Sequence, residues 1–252
     1  MPTQDAPIGS VQTTIDIVEA LRDLDGAGVS ELATHLDLPT STVFDHLRTL
    51  EQNEFVTSDD DGYRVGSRFL EIGGFARKQD PLYQVAEPEI QKIAHQTGEH
   101  ANLVVEDFGK AVFYAKAEGE DAFQLDTHVG KRVHLSTTSA GKAILAEFDD
   151  ETIHDVLDEH GLPAVTEHTV TDRDVLFEEI EECRERGFAV DDEERIPGVR
   201  CVGAAITGDD GVLGAVSVSG PKSGMQDDRF LEDIPDLVLR TANVIEVNMK
   251  YQ

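Results

Sequence analysis

The sequence predicts an α+β chain in two parts, and three observations predict it. Before residue 67, apolar residues recur at helical spacing in three short stretches that end on a hairpin signal. Beyond it, strand-like runs come in pairs around tight turns. Helical stretches lie between those pairs, a grouping that points to a mainly antiparallel sheet.

The first helix is predicted over residues 11–24, where Val11, Ile15, Val18 and Leu21 fall three and four apart and make one apolar face. DGAG at 25–28 breaks it. Ser30 is placed to cap a second, short helix holding Leu32, Ala33 and Leu36. LDLP at 36–39 makes a tight turn, and a third helix follows with Val43, Leu47 and Leu50 inward. FVTSDDDGYRVG at 55–66 sets two apolar segments around Asp61-Gly62, a strong hairpin signal. Residues 67–98 read as two helices broken at Asp80-Pro81, with Gly98 as C-cap. Strands are expected at 101–106, 110–117 and 121–126. Helices follow from Ser139, over 150–160 and over 172–186. Strands at 188–191, 200–207 and 211–219 come next, the last two joined through Asp209-Asp210-Gly211. A final helix is predicted over 227–250.

Composition narrows the class. The chain has 252 residues, 39% apolar, with no tryptophan. That is ample for a buried core. No apolar run approaches the ~20 residues of a membrane helix, and MPTQDAPIGS lacks the pattern of a signal peptide. Cys183 and Cys201 make no disulfide framework and no CxxC. The expectation is a soluble cytoplasmic protein without membrane partners. The formal net charge is −30, from 51 acids against 21 bases. Acids spread through patterned helices and strands describe an acidic surface on a folded protein. Such a surface repels itself in dilute salt. It suits a halophile cytosol, where the Debye length shrinks to ~3 Å at 1 M salt.

Helix, short helix, turn, helix and hairpin make a winged helix-turn-helix, whose third helix fits the major groove of double-stranded DNA. Thr40, Ser41, Thr42, Asp45, His46, Arg48 and Thr49 lie off its apolar stripe and are the DNA candidates. Hydroxyls near a helix N-terminus suit phosphates. Arg48 suits phosphate or guanine, His46 a base edge, and Asp45 cytosine or Arg48 itself. Arg64 in the wing is a phosphate candidate. One feature conflicts with this. Residues 1–75 hold 14 acids and only four bases, whereas DNA-binding modules are expected to be basic.

Three separated blocks carry a family resemblance. They are SELATHLDLPTSTVFDHLRTLEQNEFV (30–56) with GSVQTTIDIVEAL before it, HLSTTSAGKAILAEF (134–148), and RERGFAVDDEERIPGVRCVGAAI (184–206) followed by GAVSVSGP (214–221). The chain resembles the IclR-type transcriptional regulators over nearly its whole length. The resemblance implies a winged helix-turn-helix at 8–68. It also implies a linker helix and a GAF-like effector-binding domain at 69–252, and a homodimer or homotetramer. It places the effector pocket at Ser139, Ala140, Asp191, Val199, Cys201, Ser217 and Ser219. Amides at Ser139 and Ala140 would favour an anion, and Ser217 and Ser219 share one strand face. Asp191 would take a ligand hydroxyl or amine. Val199 and Cys201 would form a small apolar wall, with Phe123 and Leu125 opposite. The expected effector is a small organic anion, and no cofactor is expected. Family members often carry bases where this chain has Thr40 and Asp45, so base preference does not transfer.

Enzyme readings lose. Gly141-Lys142 is no P-loop, because Ser136 and Ala143 stand where Gly and Ser/Thr are needed. Ser139-Ala-Gly-Lys142 matches S-x-x-K and Lys222-Ser-Gly resembles K-T-G, but S-D-N is missing. There is no HxxxH; His134, Asp191 and Cys201 could meet in space around zinc, but the expectation is no metal, with His134 a packing or hydrogen-bonding residue. The expected function is a ligand-responsive DNA-binding regulator of a metabolic, catabolic gene set. The competing reading is a metabolite sensor without sequence-specific DNA binding.

Overall fold

A computed structural model describes residues 6–251. The chain divides into two compact units, the first running to Ala76 and the second starting at Arg77. Among the described residues, no helix is long and apolar enough to cross a membrane.

The first unit holds α1 (Gly9–Asp23), α2 (Val29–His35), α3 (Thr40–Gln52), the hairpin strands β1 (Val56–Asp59) and β2 (Gly62–Val65), and the start of α4 (Arg68–Lys78). Its core is Ile17, Ala20 and Leu21 from α1, Leu32 and Ala33 from α2, and Val43, Leu47 and Leu50 from α3, closed by Ala27 and Val56. The α1 face differs from the expected one. Val11 and Ile15 are exposed, and Ile17 and Ala20 go inward instead. Spacing finds an apolar stripe, but α1 carries two, and packing against α2 and α3 selects between them. The cap of α2 also differs. The helix begins at Val29 after Gly28 with no side-chain cap. Its start is set by a bridge in which Ala27 and Tyr63 exchange both backbone hydrogen bonds. That bridge needs Gly62, whose φ is +132° and whose added Cβ would lie 2.7 Å from the Ala27 carbonyl oxygen.

The second unit completes α4 and adds α5 (Pro81–Thr97), β3 (His100–Asp107), β4 (Lys110–Glu118), β5 (Arg132–His134), α6 (Ser139–Ala146), α7 (Asp150–His160), α8 (Arg173–Arg186), β6 (Ala189–Asp192), β7 (Val199–Gly208), β8 (Gly211–Pro221) and α9 (Ile234–Lys250). Six strands form one antiparallel sheet in the order β5-β4-β3-β8-β7-β6. Alternation sends Ala101, Leu103, Val202, Val216 and Val218 to one face, where α5 and α9 cover them with Ile90, Ile93, Val238 and Ile245. The other face meets α6 and α8 through Val104, Ala215, Ile144, Leu145 and Ile180.

One expectation fails here. Residues 121–126 are not a strand. Side chains take two of the segment's carbonyls and the one just after it: His100 Nε2 bonds the Phe123 carbonyl, Lys131 the Asp126 carbonyl and Lys116 the Thr127 carbonyl. With those groups satisfied, the segment has no call on the ladder, and β5 pairs with β4 instead. The last helix runs over 227–250 as expected, with a π turn at Arg229–Asp233. Pro235 lies at the start of α9 and has no N–H to close an ordinary turn.

The largest fully buried side chain among the described residues is a charged one. Lys142, on α6, is 1% exposed and donates from Nζ to Glu179 Oε2 on α8 and to Glu194 Oε1 beyond β6, both at 2.6 Å. Burial pulls its pKa down, but the two carboxylates outweigh burial and hold it above the ordinary lysine value. Removing one partner of a buried pair costs ~3–5 kcal/mol because the other charge is stranded. Lys142→Met is therefore expected to destabilise the protein by about 3 kcal/mol in denaturant unfolding at pH 8. An unchanged midpoint would mean that the ion pair contributes nothing.

Candidate functional site

The sheet face under α6 carries two polar rows. Asp191, Cys201, Ser219, His100 and Glu118 are directly opposed in succession across β6, β7, β8, β3 and β4. One step along, Gly203, Ser217, Asn102 and Lys116 oppose one another. Directly opposed residues share a face, so all these side chains point to the α6 side.

The start of α6 closes over these rows. Thr138 caps the helix, its Oγ1 accepting from Gly141 N at 3.0 Å. That leaves the first-turn amides of Ser139 and Ala140, which have no partner within the helix. Gly203 permits the approach, since a Cβ there would lie 2.7 Å from Ala140 N. The result is a narrow cavity lined by Asn102, Phe113, Leu125, Thr127, Thr138, Ser139, Ala140, Asp191, Arg195, Ile196, Val199, Cys201, Ser217 and Ser219. Between the side chains there is room for little more than one or two waters.

All seven expected pocket residues line this one cavity. Leu125 does too, but Phe123 does not; its ring stands edge-on to His100. Sequence reasoning missed Asn102, Phe113, Thr127, Thr138, Arg195 and Ile196. Asn102 is 2% exposed, donates to Ser217 Oγ at 3.4 Å, and leaves its Oδ1 without a partner. The signal for it was its place on a strand opposite the expected Ser217. The Arg195 guanidinium lies over the Phe113 ring, 5.3 Å from its centroid, and donates to Thr127 Oγ1.

The electrostatics are those of buried acids. Asp191 Oδ1 accepts from Glu194 N at 2.8 Å. Burial raises the Asp191 pKa to about 6 against the pull of that bond, Lys142 and Arg195. Burial likewise raises Glu194 to about 7 despite Lys142. The Cys201 thiol is pushed up by burial and by Asp191, so it stays protonated as a weak donor. Lys142 is committed to Glu179 and Glu194, and Lys222 to Asp192 and Glu193. Lys142 is therefore not free to act as the base of an S-x-x-K pair, nor Lys222 to serve as the lysine of a K-T-G element. His134 sits on β5, at the opposite edge of the sheet from Asp191, with Lys110 Nζ 3.1 Å from its ring. Among the described residues no group of three His, Cys, Asp or Glu side chains could hold a metal.

On α3, Thr40, Ser41, Asp45, Arg48 and Thr49 are exposed and Thr42 is half-buried. His46, expected to face outward, turns to α1, where its Nδ1 lies 2.8 Å from Thr14 Oγ1. It is one residue from Leu47 and sits on the flank of the buried stripe. Phe44, absent from the expected set, is exposed among them. Arg64 folds back on the first unit, donating to the Asp25 carbonyl at 3.2 Å and lying 3.5 Å from Asp59.

The raised acids carry a sign. Asp191 rises from an ordinary 3.8 to about 6 and Glu194 from 4.5 to about 7. Over those ranges the folded state binds more protons than the unfolded chain, so their contribution to stability falls as pH rises from about 4 to about 7. Asp191→Asn and Glu194→Gln should each gain thermal stability relative to wild type as pH rises through that window, at constant KCl. A difference that does not change with pH would contradict the assignment.

Comparison with known proteins matches this arrangement. Residues 75–247 match the family described as bacterial transcriptional regulator IclR C-terminal, and residues 10–60 match the IclR helix-turn-helix domain. A Halobacterium salinarum protein named "Probable HTH-type transcriptional regulator ArcR" is 34% identical over 96% of this chain and 94% of its own. The HTH-type transcriptional repressor AllR of Escherichia coli K12 is 30% identical over 94% of this chain and 88% of its own. The crystal structure of the Thermotoga maritima IclR superposes with a TM-score of 0.76 at 28% identity, covering 95% of this chain and 98% of that one. These relatives are named as regulators, and the match spans both units: the chain belongs to the IclR family of DNA-binding transcriptional regulators, with a helix-turn-helix domain and a C-terminal effector-binding domain.

Proposed function

We propose that this regulator senses a small anion in the cavity under α6 and transmits its presence to DNA bound by α3 and the wing. The carrying observation is the convergence of Ser139, Ala140, Asp191, Val199, Cys201, Ser217 and Ser219 on one cavity. Helix-start amides and Arg195 supply the positive end for a carboxylate. Asn102 Oδ1 and Asp191 supply acceptors for a hydroxyl or amine elsewhere on the effector. The boundary between reader and sensor is set at residues 68/69, and the output is control of a metabolic gene set.

We assign it to the cytoplasm of a halophile, on its acidic surface and its likeness to a Halobacterium protein. It acts as a homodimer or homotetramer. Val11 and Ile15 on α1 are exposed, with Ile8 just before it, as are Leu70, Ile72 and Phe75 on α4, which buries no residue of its own. Exposed apolar stripes of this kind suit a second copy of the chain. Paired reading heads engage half-sites about 34 Å apart or multiples of that. An effector preferring one sensor conformation shifts their spacing.

A second reading is favoured by one observation, the net charge of −10 over residues 1–75. Under it, the chain senses a metabolite but reads no particular DNA sequence. The test is binding of the full chain to its own upstream DNA against a scrambled duplex, in multimolar KCl, with a panel of small carboxylates. Preference for the native duplex, relieved or strengthened by one carboxylate, is expected. Asp191→Ala and Ser219→Ala should reduce that response at least tenfold and leave DNA affinity unchanged. Loss of DNA binding by both folded variants would overturn the division of labour.

A further inference from the structure

The reading head has an electrostatic deficit and an apolar surplus. Residues 1–75 contain only Arg22, Arg48, Arg64 and Arg68 as bases, and α3 carries just one of them. Arg64 is engaged with Asp25 and Asp59, and Arg22 with Asp23. Counterion release, the usual source of affinity, scales with the number of phosphates neutralised by Lys and Arg. It contributes little here. In concentrated salt it contributes less still, because charges are screened within a few ångströms. Discrimination between sequences must then come from short-range contacts with base edges.

The outward surface of α3 offers one such contact that no charge or hydroxyl explains. Phe44 is 45% exposed, while Val43, Leu47 and Leu50 on the same helix are 0%, 0% and 8% exposed. It is not part of the core of the first unit. Its exposed neighbours one turn away are Thr40 and Ser41 before it and Arg48 after it, with the buried Leu47 on its inner side. A phenyl ring is thus presented at the centre of the polar set that faces DNA. The major groove has a single apolar group on its base edges, the C5-methyl of thymine, and phenylalanine is among the side chains that contact it.

We propose that Phe44 is a specificity-determining residue of the reading head, and that it packs on the thymine methyl of one T·A pair in each half-site. The inference rests on the reading that α3 enters the major groove. Phe44 carries the apolar share of recognition, and Ser41 and Arg48 flank it with polar contacts.

Uracil tests this directly, because it keeps every hydrogen-bonding group of thymine and lacks only the methyl. Duplexes are first selected from a randomised library with the full chain in multimolar KCl. Each thymine of the selected half-site is then replaced singly by uracil and binding is measured for wild type and Phe44→Ala. Wild type should lose about fourfold at one position in each half-site, the value of burying one methyl group. Phe44→Ala should bind the thymine and uracil duplexes equally there. The exposed position makes this variant safe for folding, and an unchanged thermal midpoint checks that. If both proteins respond alike to every uracil, or the selected half-site contains no thymine, the proposal is overturned. If no sequence is enriched at all, the groove reading falls together with it, a result distinct from an enriched site indifferent to the methyl.

Discussion

The sensor unit depends on one buried lysine. Lys142 has no route to water, and its two carboxylate partners come from separate stretches of chain. It therefore ties α6, α8 and the turn after β6 into one body. The same turn presents the Glu194 amide to Asp191 and carries Arg195 into the cavity. Thr166 and Thr169 bind the Glu194 carbonyl from the far side. A cluster of this kind is a poor source of net stability, because desolvation consumes most of the attraction. Its value is geometric. It holds the start of α6 against a sheet that would otherwise be covered by apolar side chains.

The sheet answers that demand with a change of character along its length. Toward one end, the α6-facing side chains are Val104, Ala205 and Ala215, and they join an ordinary core. Toward the other, they become Asn102, Cys201, Ser217, Ser219 and His100. The polar end is where α6 begins and its amides are free. The apolar end is where its later residues, Ile144 and Leu145, are buried. Gly203 stands between the two regimes, and its missing side chain lets the helix start press close. The cavity is thus the place where a helix end meets a polar sheet face.

Much of this was legible in the sequence, for physical reasons. The helices of the first unit, the wing turn and the paired strands of the second have strong periodicity or strong turn chemistry. The seven cavity residues came through family resemblance, not from spacing. What escaped depended on tertiary context. Val11 and Ile15 satisfy a helical pattern as well as Ile17 and Ala20 do, and only packing separates them. Residues 121–126 look like a strand, but lysine and histidine side chains from elsewhere claim their carbonyls. Asn102 reads as one polar residue in a strand until Ser217 is brought beside it. Phe44 carries no hydrogen-bonding group, so a search of α3 for polar side chains off its apolar stripe does not find it.

The tightness of the cavity has a kinetic consequence. If the effector binds there, as proposed, any molecule larger than water needs more room than the cavity holds, and Phe113, Arg195 and Ile196 are among the side chains that line it. Opening must displace the Arg195 guanidinium from the Phe113 ring and from Thr127. Occupation then becomes a two-step event, with a rearrangement in series with encounter, and uptake falls well below the diffusional rate. The intrinsic affinity is also discounted by the fraction of molecules that are open at any moment. Once inside, the molecule is enclosed by the same groups and leaves at the pace of reopening. A sensor built this way averages over brief fluctuations in metabolite supply and responds to sustained ones.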